Sequence, residues 1–267
     1  MTGPWRLLLD DPPSEGAWNM ALDRAIQLEH AAGRSPATLR LYGWARPTVT
    51  LGRFQDVGSV DVAACRAEGI DVARRFTGGR GVLHDDEVTY SIVAGLQDGV
   101  PRGTAQSYSF LCGALVDAYR RLGVDADLTA RGRGSRSSGA CYLHATHADV
   151  SSGTRKLSGS AQVWHRETVL QHGSFVLARD AEREARVFAL TPEEASALRE
   201  STVTLSELTS APSRPTIAES VRGAFEALLG VTIEPGPVTD EEREHAVLLV
   251  QKTAVLTSVA PSAGVSA

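Results

Sequence analysis

The sequence predicts an α+β fold, a mixed β-sheet flanked by helices, with a small helical C-terminal extension. Strand-like and helical segments alternate without a repeat over roughly the first 180 residues, and this mixture is typical of α+β domains. Beyond Asp180 charged helical stretches dominate as far as about Gln251. We therefore predict a catalytic core over residues 1–180, a helical extension over 181–252 and a flexible tail over 253–267.

The individual elements follow from hydrophobic spacing and from helix-breaking residues. Residues 17–32 repeat apolar side chains at helical spacing, and Gly33 followed by Pro36 ends that helix. Further helices are predicted at 60–68, 105–122 and 216–229, the last opened by Pro215. Runs rich in β-formers predict strands at 5–10, 38–42, 48–51, 70–75, 147–151, 156–164 and 168–177, with a strand or hairpin over 82–94.

Composition restricts the classes of protein to which the chain can belong. Its net charge of −5 and pI near 5.8 argue against a general nucleic-acid binder. No apolar run approaches the ~20 residues of a membrane span, and the N-terminus lacks the basic region of a signal peptide. The three cysteines form no CxxC pair, so neither a disulfide framework nor a metal site is predicted. We expect a cytoplasmic protein.

A glycine-rich turn over residues 77–81 follows the predicted strand at 70–75. Glycines let the backbone pass close to a ligand and can expose N–H groups to an oxyanion. The segment matches neither a Walker loop nor a dinucleotide-binding fingerprint. A hairpin whose glycines only provide positive φ is the alternative interpretation.

Lys156 begins a strand of very small residues, LSGSA. Small side chains leave a groove, and an ammonium at its mouth can polarise a carbonyl or stabilise a thiolate. A solvated lysine at a sheet edge is the ordinary alternative.

Cys141 is the best candidate nucleophile among the three cysteines. Cys65 and Cys112 lie within predicted helices, where an unpaired cysteine is usually a buried spacer. Cys141 instead follows a polar, glycine-rich loop, and Lys156 comes shortly after it. A nearby cation lowers the pKa of a thiol and favours the reactive thiolate.

Four segments together resemble the lipoate/biotin-protein ligase superfamily: NMALD at 19–23, RRFTGGRGVLHDDEVTYS at 74–91, GTRKLSGSAQ at 153–162 and LQHGSFVL at 170–177. Within it they are most similar to the octanoyl-[acyl carrier protein]:protein octanoyltransferases first described in Gram-positive bacteria. The resemblance implies the biotin/lipoate-protein ligase-like fold, which is related to class II aminoacyl-tRNA synthetases. Phe76, Gly81 and Thr154 depart from the family pattern, away from the nucleophile and the lysine.

The resemblance also implies the roles of particular residues. Cys141 corresponds to the catalytic cysteine, and Lys156 to the lysine that lowers its pKa. Nine further positions are implied to bind substrate: Arg75, Thr77, Gly78, Gly79, His84, Ser158, Gly159, Ala161 and His172.

The implied reaction is a two-step octanoyl transfer through a cysteine thioester, without ATP or any other cofactor. The implied donor is octanoyl-acyl carrier protein, and the acceptors are lipoyl-domain proteins such as the glycine cleavage H protein and E2 subunits. We expect side chains around Leu83, Val93 and Val163 to line the acyl slot. Arg131, Arg133 and Arg136 offer a docking patch for the carrier, or else a solvated loop.

Three other functions remain open from the sequence. An ATP-dependent lipoate-protein ligase shares the glycine loop and the lysine but needs no cysteine. An amidotransferase that takes octanoyl from the H protein shares both the fold and the cysteine chemistry. A non-catalytic acyl-binding or scaffold protein would keep the fold, although Cys141 and Lys156 together argue against it.

Overall fold

The computed structural model describes residues 5–129, 140 and 149–256. Its helices are α1 Gly16–Ala31, α2 Val62–Ala67, α3 Thr104–Arg121, α4 Ala181–Val187, α5 Pro192–Ser201, α6 Leu205–Leu208, α7 Arg214–Leu229 and α8 Asp240–Thr253. The strands are β1 Trp5–Leu9, β2 Thr38–Tyr42, β3 Thr48–Leu51, β4 Asp71–Arg74, β5 Val82–His84, β6 Glu87–Gly95, β7 Asp127–Leu128, β8 Val150–Ser152, β9 Arg155–Ser158, β10 Ser160–His165, β11 Thr168–Val176, β12 Ile233–Pro235 and β13 Ala254–Leu256.

A six-stranded mixed sheet in the order β10-β11-β6-β2-β1-β12 forms the centre of the fold. β1 runs parallel to β2 and β12, whereas β2, β6, β11 and β10 pair antiparallel. Helices α3 and α7 cover one face, where Tyr119 stacks on Phe175 with ring centroids 4.4 Å apart. Helix α1 covers the other face and packs in turn on α8. Both faces are buried, which explains the nearly continuous burial of β6 and β11.

A second sheet, β13-β4-β3-β5, lies beside the glycine-rich turn. Its core includes Val49, Leu51, Val72 and the buried Cys65. A third, small sheet, β7-β8-β9, carries Lys156 on β9. The α+β fold with a mixed sheet flanked by helices is therefore confirmed.

Most predicted elements are found within one or two residues of their expected bounds. There are two exceptions. The segment predicted as one strand at 156–164 is two strands, β9 and β10, which belong to different sheets. The segment 82–94 is neither one strand nor a hairpin. β5 pairs with β3 in the second sheet and β6 pairs with β2 and β11 in the first, so the chain changes sheets between His84 and Glu87. A hydrophobic pattern reports which residues are buried but not which partner strand buries them.

The residues after Asp180 contribute to the same core. β12 pairs with β1 at the edge of the large sheet, and Phe225 of α7 lies among the core side chains. Residues 253–256 end α8 and form β13, and 257–267 lie outside the described residues. A division at residue 180 stays a prediction. Among the described helices, none is long and apolar enough to cross a membrane.

Candidate active site

A pocket opens between the large sheet and the second sheet. Elements from both sheets and from α1 surround it. Its lining residues are Met20, Tyr42, Trp44, Thr50, Arg75, Gly79, Val82, His84, Thr89, Gly159, Ser160, Ala161, His172, Gly173 and Ser174.

One wall of the pocket is held by the carboxylate of Glu87. His84 Nδ1 lies 2.8 Å from Glu87 Oε1, and the Ser174 hydroxyl donates to the same oxygen at 2.7 Å. The Trp44 ring stacks on the His84 ring, with centroids 4.1 Å apart, and its N–H donates to the Thr89 hydroxyl at 2.8 Å. Burial alone would raise the pKa of Glu87, but His84 and the hydroxyl donors lower it below its usual value. The wall therefore has an ionised carboxylate, hydrogen-bonded through Oε1, behind an aromatic surface.

A second buried carboxylate, Asp23 of α1, holds the opposite wall. His172 Nδ1 lies 3.2 Å from Asp23 Oδ2, and the Tyr42 hydroxyl donates to that oxygen at 3.0 Å. Arg40 donates to Oδ1 at 2.7 Å. Burial raises the pKa of Asp23, but the Arg40 charge and the His172 hydrogen bond more than offset it, so the net shift is downward.

His172 connects Asp23 to the glycine turn. Burial lowers the pKa of His172, and the neighbouring Asp23 only partly opposes that shift, so the ring is neutral near pH 7. With its Nδ1–H donated to Asp23, the neutral ring accepts at Nε2, and the Thr77 hydroxyl lies 2.8 Å from that atom. The side chain of Thr77 therefore donates, and the turn is fixed to β11.

Arg75 and two glycines determine the shape of the glycine turn. The Arg75 guanidinium is buried and donates to the carbonyls of Gly78 at 2.8 Å and of Arg80 at 2.7 Å. Gly79 has a φ of +95°, and a Cβ there would lie 2.9 Å from Arg75 Nη2. A Cβ at Gly52 would lie only 2.0 Å from the Gly79 carbonyl oxygen. The two backbones approach so closely that both positions need glycine.

Lys156 is not a solvated edge lysine. Its side chain is 3% exposed, and Nζ lies 3.0 Å from Oδ2 of Asp149, which is equally buried. A Cβ at Gly159 would lie 3.1 Å from that Nζ, so the ammonium reaches the backbone of a pocket-lining residue. The lysine stem therefore passes beneath the start of β10 and brings its charge to the pocket.

Tyr108 of α3 supports the Lys156–Asp149 pair. Its hydroxyl lies 3.1 Å from Asp149 Oδ1 and 2.9 Å from the Ser160 carbonyl. Burial raises the pKa of Tyr108 far above its ordinary value, so it serves as a neutral donor. Cys112 lies in the same buried region, where desolvation raises the pKa of its thiol to about 12. Cys112 and Cys65 are both buried and free, which confirms their interpretation as spacers.

The small residues of β10 and β11 allow these two strands to approach each other across the pocket floor. A Cβ at Gly173 would lie 2.6 Å from the Gly159 carbonyl oxygen. Ala161 lines the pocket beside them. Ser158 is a different case, because its hydroxyl donates to the Ser174 carbonyl at 2.8 Å behind the lining.

The structure brings most of the predicted site residues to one pocket. Arg75, Gly79, His84, Gly159, Ala161 and His172 line it. Thr77 contacts it through His172, and Gly78 lines an adjoining open groove with Tyr108. Cys141 lies outside the described residues, as do Arg131, Arg133 and Arg136. Within the described residues, no group of three or more His, Cys, Asp or Glu side chains is arranged to hold a metal ion.

None of the three residues expected to line the acyl slot lines this pocket. Val82, rather than Leu83, faces it, because alternate residues of a strand point to opposite faces. Leu83 packs in the second sheet, and Val93 and Val163 pack against α1. The large side chains that line the pocket are Met20, Tyr42 and Trp44.

Several supporting residues were not predicted from the sequence. Met20 and Asp23 lie in the NMALD segment, whose similarity was the available signal for them. Glu87 likewise lies within the segment 74–91. Asp149 and Tyr108 had no such signal, since they come from a loop and a helix without a motif.

Comparisons with known proteins agree with this geometry. Residues 15–226 match the family described as the Lipoyl protein ligase A/B catalytic domain. The chain is 39% identical to Octanoyltransferase LipM of Kyrpidia tusciae over 262 residues, 93% of this chain and 95% of that protein. It is 38% identical to Octanoyltransferase LipM of Moorella thermoacetica, over 90% of this chain and 91% of that protein.

A solved structure shows the same fold. The protein Ta0514 of T. acidophilum, described as a lipoate protein ligase with bound lipoic acid, superposes with a TM-score of 0.76 at 23% identity. The match covers 94% of this chain and 96% of that chain. From the family match and the long, well-covered alignments to octanoyltransferases, we conclude that the chain is an acyltransferase of the lipoyl protein ligase A/B catalytic-domain family.

Proposed function

We propose that the protein transfers an octanoyl group from octanoyl-acyl carrier protein to the lysine of a lipoyl domain, with Cys141 carrying the group as a thioester. The similarity to octanoyltransferases over more than nine-tenths of the chain is the observation that carries this proposal. The pocket and the buried Lys156 support it independently.

The walls of the pocket suit an unbranched acyl chain. Met20, Trp44 and Val82 provide apolar surface. At ~0.8 kcal/mol per buried methylene, transfer of most of an octanoyl chain from water contributes ~5 kcal/mol. Polar groups behind the walls are already hydrogen-bonded to Glu87 and Asp23, so they do not have to be desolvated again when the chain enters.

Lys156 supplies positive charge where the acyl carbonyl would lie. Its ammonium is fixed against Gly159 by Asp149, and Gly159 lines the pocket. A cation held in a buried site stabilises a thiolate and a tetrahedral oxyanion far more than a mobile surface cation does. Lys156 would therefore assist Cys141 in both half-reactions. The backbone N–H groups of Gly78, Gly79 and Gly159 are the candidate oxyanion donors.

The two steps balance without an external energy source. The Cys141 thiolate attacks the octanoyl carbonyl carbon, the bond from that carbon to the carrier sulfur breaks, and the carrier leaves as a thiol after taking up a proton. The lipoyl-domain lysine then attacks the octanoyl-Cys141 carbonyl as a free amine. An amide forms, the amine loses a proton, and the Cys141 thiolate is regenerated.

Mass spectrometry of the intact protein tests this proposal. Octanoyl-acyl carrier protein, added without ATP, should increase the mass of the wild type by one octanoyl group, and a lipoyl domain added afterwards should remove it. Cys141→Ala should form no adduct, whereas the matched control Cys112→Ala should form one. An octanoyl adduct that persists in Cys141→Ala refutes the proposal that Cys141 carries the octanoyl group.

Two outcomes would favour the other candidate functions. A strict requirement for ATP and free octanoate would favour a ligase. Octanoylated H protein as donor, in place of the acyl carrier protein, would favour the amidotransferase.

A further inference from the structure

Three arginines and two phenylalanines lie on neighbouring elements beside the glycine turn. Arg24 comes from α1, Arg53 and Phe54 follow β3, Phe76 follows β4, and Arg166 lies between β10 and β11. The Arg24 guanidinium lies 5.6 Å from the Phe76 ring centroid, and that of Arg53 lies 5.1 Å from the Phe54 ring centroid. These five residues are called the arginine–phenylalanine surface below.

The loop that carries Arg53 and Phe54 is held rigidly against the pocket rim. Arg74 donates to the carbonyls of Gly52 at 2.9 Å and of Gln55 at 2.7 Å, one on each side of the exposed pair. The Arg53 N–H donates to the Thr77 carbonyl at 2.8 Å. Thr77 is in turn bound to His172 in the pocket wall. The arginine–phenylalanine surface therefore has a defined position relative to the acyl site.

The positive charges of this surface are not compensated by the described part of the chain. Arg24, Arg53 and Arg166 make no ion pair with a carboxylate among the described residues, whereas surface arginines such as Arg102 and Arg214 do. Burial lowers the pKa of Arg24, and the charge of Arg53 lowers it further. The positive charges of these arginines repel one another, and a bound anion would reduce that repulsion. Asp56 lies in the same loop, but its carboxylate accepts a hydrogen bond from the Gly58 N–H at 2.6 Å and makes no ion pair with these arginines.

Burial and the charges of Arg24 and Arg166 also lower the pKa of His165 at the end of β10. Gln27 links the two elements, because its side-chain amide accepts from Arg24 at 2.5 Å and donates to the carbonyls of Val163 and Thr168, on either side of the turn that carries Arg166. The arginines of α1 and of the turn after β10 therefore lie on neighbouring elements. On a chain with a net charge of −5 this surface is a local exception.

Phe54 gives the surface an apolar anchor. It is 86% exposed, the most exposed large hydrophobic side chain among the described residues. Arginines and aromatic side chains are enriched among the residues that dominate protein interfaces. An exposed phenylalanine on a fixed loop, beside arginines that have no carboxylate partner among the described residues, is typical of a surface that a partner protein covers.

We infer that the arginine–phenylalanine surface docks the acidic carrier protein that delivers the acyl thioester. This inference rests on the proposed function, because it assigns the donor of that same reaction to a face of the molecule. Complementary charge would steer an acidic carrier to the rim. Phe54 would then fix its orientation so that the thioester on its flexible arm reaches the pocket. The repulsion within the surface would be relieved only in the complex.

The inference is tested by reversing the charge of two arginines and comparing two acyl donors, one of which lacks the carrier protein. Octanoyl-enzyme formation is followed with octanoyl-acyl carrier protein and, separately, with octanoyl-N-acetylcysteamine. In the double variant Arg53→Glu/Arg166→Glu we expect the second-order rate constant for the carrier to fall by about tenfold or more at low salt, with a weaker salt dependence. The rate constant with the small thioester should stay within about twofold of wild type, since neither residue lines the pocket. Phe54→Ala should slow only the carrier reaction.

Arg199→Glu is the matched control. Arg199 is also exposed and without a carboxylate partner among the described residues, but it lies on α5, which packs on α4 and β9. This change should leave both donors unaffected. An equal effect of Arg199→Glu, or an unchanged carrier reaction in the double variant, would overturn the inference. So would a defect confined to transfer from octanoyl-enzyme to the lipoyl domain, which would assign the surface to the acceptor.

Failure of the proposed function is distinguishable from failure of docking. If wild type forms no octanoyl-enzyme with either donor, the proposed chemistry is wrong. Binding of the unacylated carrier to the full chain, measured by fluorescence anisotropy at low salt, still tests the surface. Weaker binding by Arg53→Glu/Arg166→Glu supports docking, and equal binding refutes it.

Discussion

We expect Asp149→Asn to destabilise the protein strongly, because it leaves the Lys156 ammonium buried beside an uncharged amide. The two side chains are 2% and 3% exposed, and their charged atoms lie 3.0 Å apart. Removing one member of such a buried pair costs ~3–5 kcal/mol. For a protein of this size each kcal/mol lowers the melting temperature by ~2–4 °C, so a decrease of ~6–20 °C is expected.

The double variant Asp149→Asn/Lys156→Met distinguishes the interaction between the two charges from the contribution of each side chain to its own surroundings. In the double variant no ammonium is buried beside the new amide, and replacing both members of a buried pair by neutral side chains costs much less than removing one of them. The double variant should therefore be more stable than Asp149→Asn alone, which requires a coupling energy larger than the loss caused by Lys156→Met alone. The exposed pair Arg121–Asp117 is the matched control, since both side chains are more than two-fifths exposed. Asp117→Asn should cost less than ~1 kcal/mol.

Equilibrium urea denaturation followed by circular dichroism measures four variants, namely Asp149→Asn, Lys156→Met, their double variant and Asp117→Asn. The reasoning is wrong if Asp149→Asn costs no more than Asp117→Asn. It is also wrong if the losses of the two single variants at Asp149 and Lys156 simply add in the double variant, because independent sites add and coupled sites do not.

Two further changes test the site. Gly52→Ala forces a methyl group against the Gly79 carbonyl, so we expect a loss of ~1–3 kcal/mol in unfolding free energy and slower octanoyl-enzyme formation. Gly113→Ala, whose Cβ meets nothing within 4 Å in α3, should not destabilise, and equal losses would contradict this account. The depressed pKa of His172 means that the unfolded state takes up a proton first below about pH 6.5, so this residue's contribution to stability falls with pH there. The stability difference between wild type and His172→Gln should therefore shrink from pH 7 to 5.5, and a constant difference would refute a neutral His172.

The local spacing of hydrophobic and helix-breaking residues was sufficient to predict most helices and strands. The helix over 17–32 and the strands at 38–42 and 48–51 are found as predicted, because spacing and breaking residues act within a few residues of each other. The change of sheet between His84 and Glu87 was not predicted. Strand pairing is a contact between distant segments, and the hydrophobic pattern of one strand does not name its partner.

Some residues of the candidate site could likewise be predicted from the sequence, and others could not. The glycine turn, Lys156 and His172 were marked by motifs whose residue types are required locally, by positive φ, a narrow floor or a charge. Asp149, Glu87 and Tyr108 act through contacts with residues far away in the chain or in another element, and no sequence motif indicates those contacts. Asp23 and His172, for example, are 149 positions apart in the chain.

Residue type and order alone were enough to indicate the fold class, the family resemblance and many of the residues that line the site. The packed structure was needed to show that Lys156 is buried with Asp149, that Val82 rather than Leu83 faces the pocket, and that Arg24 lies over the ring of Phe76. These facts depend on which side chains meet after the sheets and helices have packed. Burial, pairing and the relative position of charges are properties of that packing, and they arise between residues that are far apart in the chain.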